Sequence, residues 1–250
     1  MTASATTSLF DYTLGLADDA LVSAQRIGWW ISRAPELEED VALANIGLDQ
    51  LGQARTLLTY AGEVEGQGRT EDDLAYLRDD REYRNVKLVE RPMTDFGVAM
   101  GRLLVFSTYQ LHLYRALTTG SDPTLAAIAG KAVKEVAYHV DHATQWVLRL
   151  GDGTDESHMR MQGALDAEWP YVEELFTPLD PALAGRVADP ADLRDAVLSD
   201  VRRVVAEATL SVPEVSPALG GGRDGLHTEH LGYLLAEMQH LHRSHPGATW

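Results

Sequence analysis

Three side chains on one stretch of the chain are of types that bind metal ions in helical proteins. Glu135, His139 and His142 lie within residues 131–150, which read KAVKEVAYHVDHATQWVLRL. Residues four apart on an α-helix lie one above the other, so Glu135 and His139 share a face. Helix bundles that bind two iron ions, however, use a glutamate three residues before the histidine. Because that position is Val136, the segment predicts a metal-binding helix that has lost a ligand.

A second stretch lacks its expected ligands in the same way. The run DQLGQ at 49–53 has Gln53 where a histidine would be and Gln50 where a glutamate would be. A di-iron site needs about four carboxylates and two histidines, since two hard cations in a desolvated core must be neutralised. Glutamine is neutral, and Val136 and His139 supply no carboxylate. These four degenerate positions predict no metal, no cofactor-binding residue and no catalytic residue on this chain.

Two polar pairs with four-residue spacing suggest another use for these helices. Asp49 with Gln53, and Glu135 with His139, could meet across the core as a hydrogen-bonded network, or could be ordinary flanking residues. A lone histidine on an apolar helix face is more often a hydrogen-bonded core residue than a ligand. The alternative is an autonomous di-metal oxidase with a rearranged site that uses Asp49, Glu135, His139 and His142.

Five histidines lie near the C-terminus, at positions His227, His230, His240, His242 and His245. Histidines in a terminal segment are usually solvated, and we interpret these in that way. A metal-binding patch around Glu229 and His230 is the alternative.

Composition excludes several functional classes. A formal net charge of −17 over 250 residues argues against a nucleic-acid groove or an anionic membrane surface as a partner. No cysteine is present, which excludes disulfides and thiolate chemistry. The N-terminal stretch MTASATTSLF lacks the basic and apolar regions of a secretory signal, and no apolar run approaches the roughly 20 residues of a membrane span. We therefore expect a cytoplasmic protein.

Helical spacing of apolar residues predicts four long helices. The helix that carries His139 should open at Asp122 and Pro123 and close at Gly151. The other three should span Tyr12–Ile31, the stretch from Glu36 to about Tyr60 with Gly62 as its C-cap, and Phe96–Leu117 with Asp95 as its cap.

Shorter helices and loops fill the rest of the chain. We predict helices from a Thr70 and Asp73 capping box to about Arg84, over Thr154–Phe176 with an interruption at Pro170, from Pro190 to about Leu210, and over Thr228–Arg243. The segments 177–190 and 213–225 are predicted as loops. No strand pattern stands out, so the fold class is all-α, a bundle of four long helices with further helices packed on it. We predict one domain over residues 1–250.

Several long motifs in the chain match a known family. They are GLDQLGQAR at 47–55, DDLAYLRD at 72–79, KEVAYH at 134–139, GLHTEHLGYLLAEMQ at 225–239 and PGATW at 246–250. Together they resemble the C subunit of bacterial phenylacetyl-CoA epoxidase, a ring 1,2-monooxygenase, over nearly the whole chain.

The resemblance implies a ferritin-like four-helix bundle core with additional C-terminal helices. It further implies a place in a multicomponent, cytoplasmic oxygenase of aerobic phenylacetate catabolism. In that complex the di-iron site lies on the A subunit, and a reductase with flavin and iron–sulfur cofactors delivers electrons. The C subunit is then the structural partner of the A subunit in a homo- or hetero-oligomer. A pure interaction module outside any oxygenase is the third alternative.

Overall fold

The computed structural model describes residues 3–248, with the side chains of residue 6 and of residues 8–248. Met1 and Thr2, which belong to the stretch considered above as a signal, lie outside the described residues, as do Thr249 and Trp250, which end the last family motif. Within the described range the chain forms α-helices, short 3₁₀ turns and no strand, which confirms the all-α fold class. No helix in this range is long and apolar enough to cross a membrane.

The α-helices in chain order are α1 (Ala3–Trp30), α2 (Leu37–Glu65), α3 (Glu71–Tyr76), α4 (Lys87–Glu90), α5 (Phe96–Leu117), α6 (Pro123–Gly151), α7 (Asp155–Glu168), α8 (Pro190–Glu207) and α9 (Glu229–Ser244). They divide into two compact units. The first unit consists of Met1–Pro92 and Gly220–Trp250, and the second of Met93–Leu219. That residues 1–250 form a single domain stays a prediction.

The first unit is built on the helix pair α1 and α2, which pack against each other. The short link between them is fixed by the Asp40 carboxylate, which accepts hydrogen bonds from the Ser32 N–H at 2.8 Å and the Ala34 N–H at 3.1 Å. The short helix α3 packs on α2 and α9, and α4 packs on α1 and α9. The C-terminal helix α9 therefore belongs with the N-terminal part of the chain.

The second unit is organised around α5. This helix is buried on nearly its whole circumference, and within the unit it packs against α6, α7 and α8. By contrast, α6 buries one stripe, made of Leu125, Ala129, Ala132, Val136, His139, Ala143 and Val147. A helix that is apolar all round belongs in a core, whereas a single apolar stripe is typical of a helix with one solvent-facing side.

The N-capping residues predicted from the sequence are confirmed. The Asp95 carboxylate accepts a hydrogen bond from the Val98 N–H at 2.8 Å at the start of α5. The Asp122 carboxylate accepts bonds from the first N–H groups of α6, whose first residue is Pro123. The capping box of Thr70 and Asp73 begins α3. These side chains satisfy N–H groups that have no partner within their helix.

Several predicted helix ends are wrong. The helix α2 continues past Gly62 to Glu65, and Gly66, with φ of 71°, forms its C-cap. Gly62 meets a different requirement, because a Cβ at that position would lie 2.3 Å from the carbonyl oxygen of Arg69. The helix α3 ends at Tyr76 instead of continuing to about Arg84.

Two further boundaries differ from the prediction, and one interruption is confirmed. The helix α1 begins at Ala3 instead of Tyr12, and α8 ends at Glu207 instead of Leu210. The predicted interruption at Pro170 is confirmed: α7 ends at Glu168, and the chain continues as the 3₁₀ turns Trp169–Tyr171 and Glu173–Phe176. A proline cannot continue an α-helix, because it lacks the N–H group that would bond the preceding turn.

Candidate functional site

The two positions on α2 at which the sequence predicts lost metal ligands are buried. Gln50 and Gln53 are 0% and 3% exposed. Asp49, which the sequence pairs with Gln53, is only partly buried. The two buried glutamines are therefore three residues apart, and the Asp49 carboxylate lies to one side of them.

The helix α6 repeats this arrangement in the second unit. Val136 and His139 are both fully buried, again three residues apart. Glu135 lies at the flank, with an oxygen 3.8 Å from the Nζ of Lys131 one turn earlier. His142 is partly buried, and its ring centroid lies 6.0 Å from that of Tyr138. Whether Asp49, Gln53, Glu135 and His139 share one polar network stays a prediction.

The donor set at these buried positions does not fit a di-iron centre. Two amides, one alkyl side chain and one imidazole supply no negative charge, although two iron ions require several carboxylates. The middle of α5 supplies no carboxylate. The hydroxyls of Ser107 and Thr108 there donate to the carbonyl oxygens of Leu103 at 2.5 Å and Leu104 at 2.7 Å. Within the described part of the chain, no group of three or more histidine, aspartate or glutamate side chains could hold a metal ion.

The first unit contains a cluster of ion pairs. The first pair joins the buried side chains of Asp18 and Arg78. Their side chains are 0% and 2% exposed and form a bidentate pair. The Arg84 N–H also donates to Asp18 at 2.8 Å, and Arg78 donates to the carbonyl oxygen of Glu82 at 3.0 Å. Burial alone would lower the pKa of Arg78, but the charge and hydrogen bonds of Asp18 raise it above its usual value, so the guanidinium keeps its charge.

Asp19, the next residue, is paired with a second arginine, Arg223. The Nη2 of Arg223 donates to Asp19 at 2.6 Å, and the Val86 N–H donates to the other carboxylate oxygen at 2.8 Å. The Nη1 of Arg223 donates to the carbonyl oxygens of Gly15 at 2.9 Å and Arg84 at 2.8 Å. Burial raises the pKa of Asp19 to about 6, although Arg223 acts in the opposite direction.

A third pair joins His227 to Glu90. The Nδ1 of His227 lies 2.8 Å from a Glu90 oxygen, and its Nε2 lies 3.0 Å from the carbonyl oxygen of Tyr83. Both partners are acceptors, so both ring nitrogens must carry a proton for both bonds to form. Burial opposes the charged ring, but the bonds to Glu90 and Tyr83 prevail and raise the pKa of His227. The other oxygen of Glu90 accepts from the Thr228 N–H at 2.6 Å.

The interpretation of His227 as a solvated terminal histidine is therefore wrong, because its side chain is 4% exposed. His242 stacks on Tyr76, with ring centroids 4.8 Å apart. His240 and His245 are exposed, as the sequence predicted. One sequence signal could have revealed the buried cluster: the adjacent carboxylates Asp18 and Asp19 interrupt an apolar stretch of α1, and buried carboxylates need cationic partners.

The second unit contains a comparable pair and a more exposed one. Arg102 on α5 donates to Glu168 at the end of α7 at 2.7 Å, and both side chains are buried. His112 and Asp200 are 2.8 Å apart and partly exposed. These contacts join helices within the unit, which is a structural role.

Comparison with known proteins places the chain in a family. Residues 1–250 match the family described as phenylacetic acid catabolic protein. One curated relative, the C subunit of 1,2-phenylacetyl-CoA epoxidase from Escherichia coli (strain K12), is 47% identical over 243 residues, which cover 96% of this chain and 98% of the relative. The family is ferritin-like and helical, in agreement with the fold class above. The chain belongs to the phenylacetic acid catabolic protein family.

Proposed function

We propose that the chain is the structural, non-catalytic subunit of a phenylacetyl-CoA epoxidase in the cytoplasm. In this proposal it pairs with an A subunit that holds the di-iron site, and a reductase with flavin and iron–sulfur cofactors supplies electrons. The similarity to the C subunit of 1,2-phenylacetyl-CoA epoxidase, which extends over nearly the full length of both chains, supports the placement in such a complex.

The observation that carries the non-catalytic role is the set of buried side chains on α2 and α6. Gln50, Gln53, Val136 and His139 occupy the spacing at which metal-binding bundles place their glutamates and histidines, and none of them is a carboxylate. Activation of O₂ by two iron ions needs a charged ligand set that these residues cannot provide. The catalytic iron is therefore proposed to reside on the partner.

In this proposal the chain contributes to the complex a scaffold whose short elements are held in position by ion pairs. The ion pairs of Asp18, Asp19 and Glu90 connect α1, α4, Arg78 just after α3 and the segment 220–228, so that short elements are held in position within the first unit. Short helices such as α3 and α4 are not stable alone in water and depend on such tertiary contacts.

Reconstitution tests the proposal. The purified A subunit and reductase are assayed for epoxidation of phenylacetyl-CoA with and without this chain, and the chain is also assayed with the reductase alone. We expect no product from the chain with the reductase, and full turnover only when the chain and the A subunit are both present. An A subunit that is equally stable and active without the chain would contradict the pairing.

Iron content tests the non-catalytic role separately. After anaerobic loading with ferrous iron and removal of excess metal, elemental analysis should find far less than one iron per chain. A content near two irons per chain would contradict the proposal and would favour the autonomous oxidase.

A further inference from the structure

The helix α2 carries a second apolar stripe on its outer side, which we call the outer seam. It consists of Leu37, Val41, Ala44, Leu48 and Leu51, which follow one another in alternating steps of four and three residues. The buried stripe of the same helix, Leu43, Ile46, Gln50, Gln53 and Leu57, has the same repeat. Positions two residues apart differ by about 200° around a helix, so the two stripes lie on opposite sides.

The outer seam is open to solvent in this structure. Leu37, Val41 and Leu48 are 74%, 55% and 65% exposed, and Ala44 and Leu51 are partly buried. Scattered exposed apolar residues are ordinary on a protein surface, but a run with heptad spacing along one helix is not scattered. Alternating steps of four and three residues are the pattern with which one helix packs against another through knobs and holes.

Charges beside the seam indicate the nature of the partner. Glu38 and Asp40 occupy the flanking positions at its N-terminal end, and Glu36 precedes them. At the other end of the seam the guanidinium of Arg55 is paired with Glu71 at 2.7 Å. The flanking positions at the N-terminal end of the seam are thus acidic, and complementary charges on the partner helix would be basic there.

We propose that the outer seam binds an amphipathic helix of a different subunit of the oxygenase, with an apolar heptad stripe flanked by lysine or arginine. This inference rests on the proposed function, which supplies the other subunits. A second copy of this chain is a poorer occupant, because two chains with a formal net charge of −17 each repel one another. The seam is therefore an interface between unlike chains.

The test replaces Val41 and Leu48 together by lysine and measures binding to the purified other subunits of the epoxidase by size-exclusion chromatography and by titration. Lysine is a good helix former, and both sites are exposed, so the isolated chain should keep its helical content and melting temperature. We expect binding to weaken at least about tenfold, as for truncation of a residue central to an interface. The variant with alanine at both positions should weaken binding in the same direction without adding charge.

Met159 provides the matched control. It is an exposed apolar residue on α7, 61% exposed, and its helical neighbours Glu156 and Arg160 are charged. Met159→Lys makes the same chemical change outside the seam and should leave binding unchanged. Equal weakening by Met159→Lys and by the seam variant would overturn the proposal.

A charge variant tests the basic flank of the partner. Glu38→Lys should weaken binding several-fold at low salt and less at high salt, because opposite charges steer association. Glu63→Lys, at an exposed position on the same helix but off the seam, is its control. Glu38 is chosen over Asp40 because Asp40 fixes the link between α1 and α2.

The outcomes separate the inference from the proposed function. Wild-type chain that binds none of the purified subunits would contradict the proposed function itself. Wild-type chain that binds them, with the seam variants binding equally well, would overturn the outer seam alone. A wild-type homodimer that the seam variants convert to monomer would also overturn the proposal, because the occupant would then be a second copy.

Discussion

The two units stabilise their buried polar groups in different ways. In the first unit, Asp18, Asp19 and Glu90 find partners that are distant in sequence, and the segment 220–228 supplies two of them, Arg223 and His227. In the second unit, the hydroxyls of two α5 residues bond to carbonyl oxygens of their own helix.

The difference follows from the lengths of the elements. The first unit must hold α3 and α4, of six and four residues, which are too short to be stable as isolated helices. Charged hydrogen bonds to distant segments help to fix such elements in position. The second unit consists mainly of longer helices around the apolar α5, although Arg102 and Glu168 show that it also contains a buried ion pair. Charge therefore determines where short segments lie in the first unit, and apolar packing dominates in the second.

The largest expected effect is the loss of Arg78. In Arg78→Met, the carboxylate of Asp18 stays buried without its cation, and the variant should lose about 3–5 kcal/mol of unfolding free energy. Chemical denaturation followed by circular dichroism gives the value. Arg55→Met is the matched control, since the Arg55 and Glu71 pair is solvent-exposed and its loss should change the unfolding free energy far less than the loss of Arg78. Equal losses in the two variants would contradict the role given to the buried charges.

A smaller effect is expected at His139, the buried polar residue of α6. If His139 and Glu135 belong to one polar network, His139→Leu should cost on the order of 2–4 kcal/mol. The double variant with Glu135→Gln should then cost less than the sum of the single changes. Additive losses in a double-mutant cycle would show that Glu135, which lies at the flank beside Lys131, is an ordinary surface residue.

The His227 and Glu90 pair should make stability depend on pH. The pKa of His227 is raised on folding, so its stabilising contribution is complete below its unfolded pKa of about 6.5 and is lost as the pH rises through the folded value. His227→Gln should cost about 1–3 kcal/mol near pH 6 and less at higher pH. Denaturation curves across this range measure the change.

The exposed His240, on the C-terminal helix α9, is the control for that experiment. His240→Gln should cost little stability at any pH in this range, because its side chain is exposed. A wild-type profile that runs parallel to that of His227→Gln at every pH would contradict a charged His227 in the folded protein.

The smallest effect is expected for the hydroxyls of α5. In Thr108→Val, the lost bond is one that the side chain makes to a carbonyl of its own helix, and that carbonyl keeps its helical partner. The cost should be about 1 kcal/mol or less by chemical denaturation. A loss comparable to that of Arg78→Met would mean that the second unit depends on its buried polar groups as strongly as the first.

Much of the local structure was determined by the sequence itself. Asp95 and Asp122 cap helices where their sequence neighbours predict, because an N-cap bond forms within a single turn. The prediction of missing metal ligands also rests on the sequence alone, since a Glu-x-x-His motif is a matter of residue type and spacing. The end of α2 could not be predicted in this way. Gly62 fits a C-cap in sequence, but its lack of a Cβ instead allows the close approach of the Arg69 backbone.

The tertiary structure alone decided which charges are buried and with what partners. Nothing in the local sequence of Asp19 indicates Arg223, because the two residues are 204 positions apart and meet only when the chain folds. His227 looked like a residue of a solvated tail for the same reason, whereas the fold places it between Glu90 and the Tyr83 carbonyl. Helix spacing and capping depend on neighbours within a few residues, but the pairing of buried charges depends on which distant segments come together.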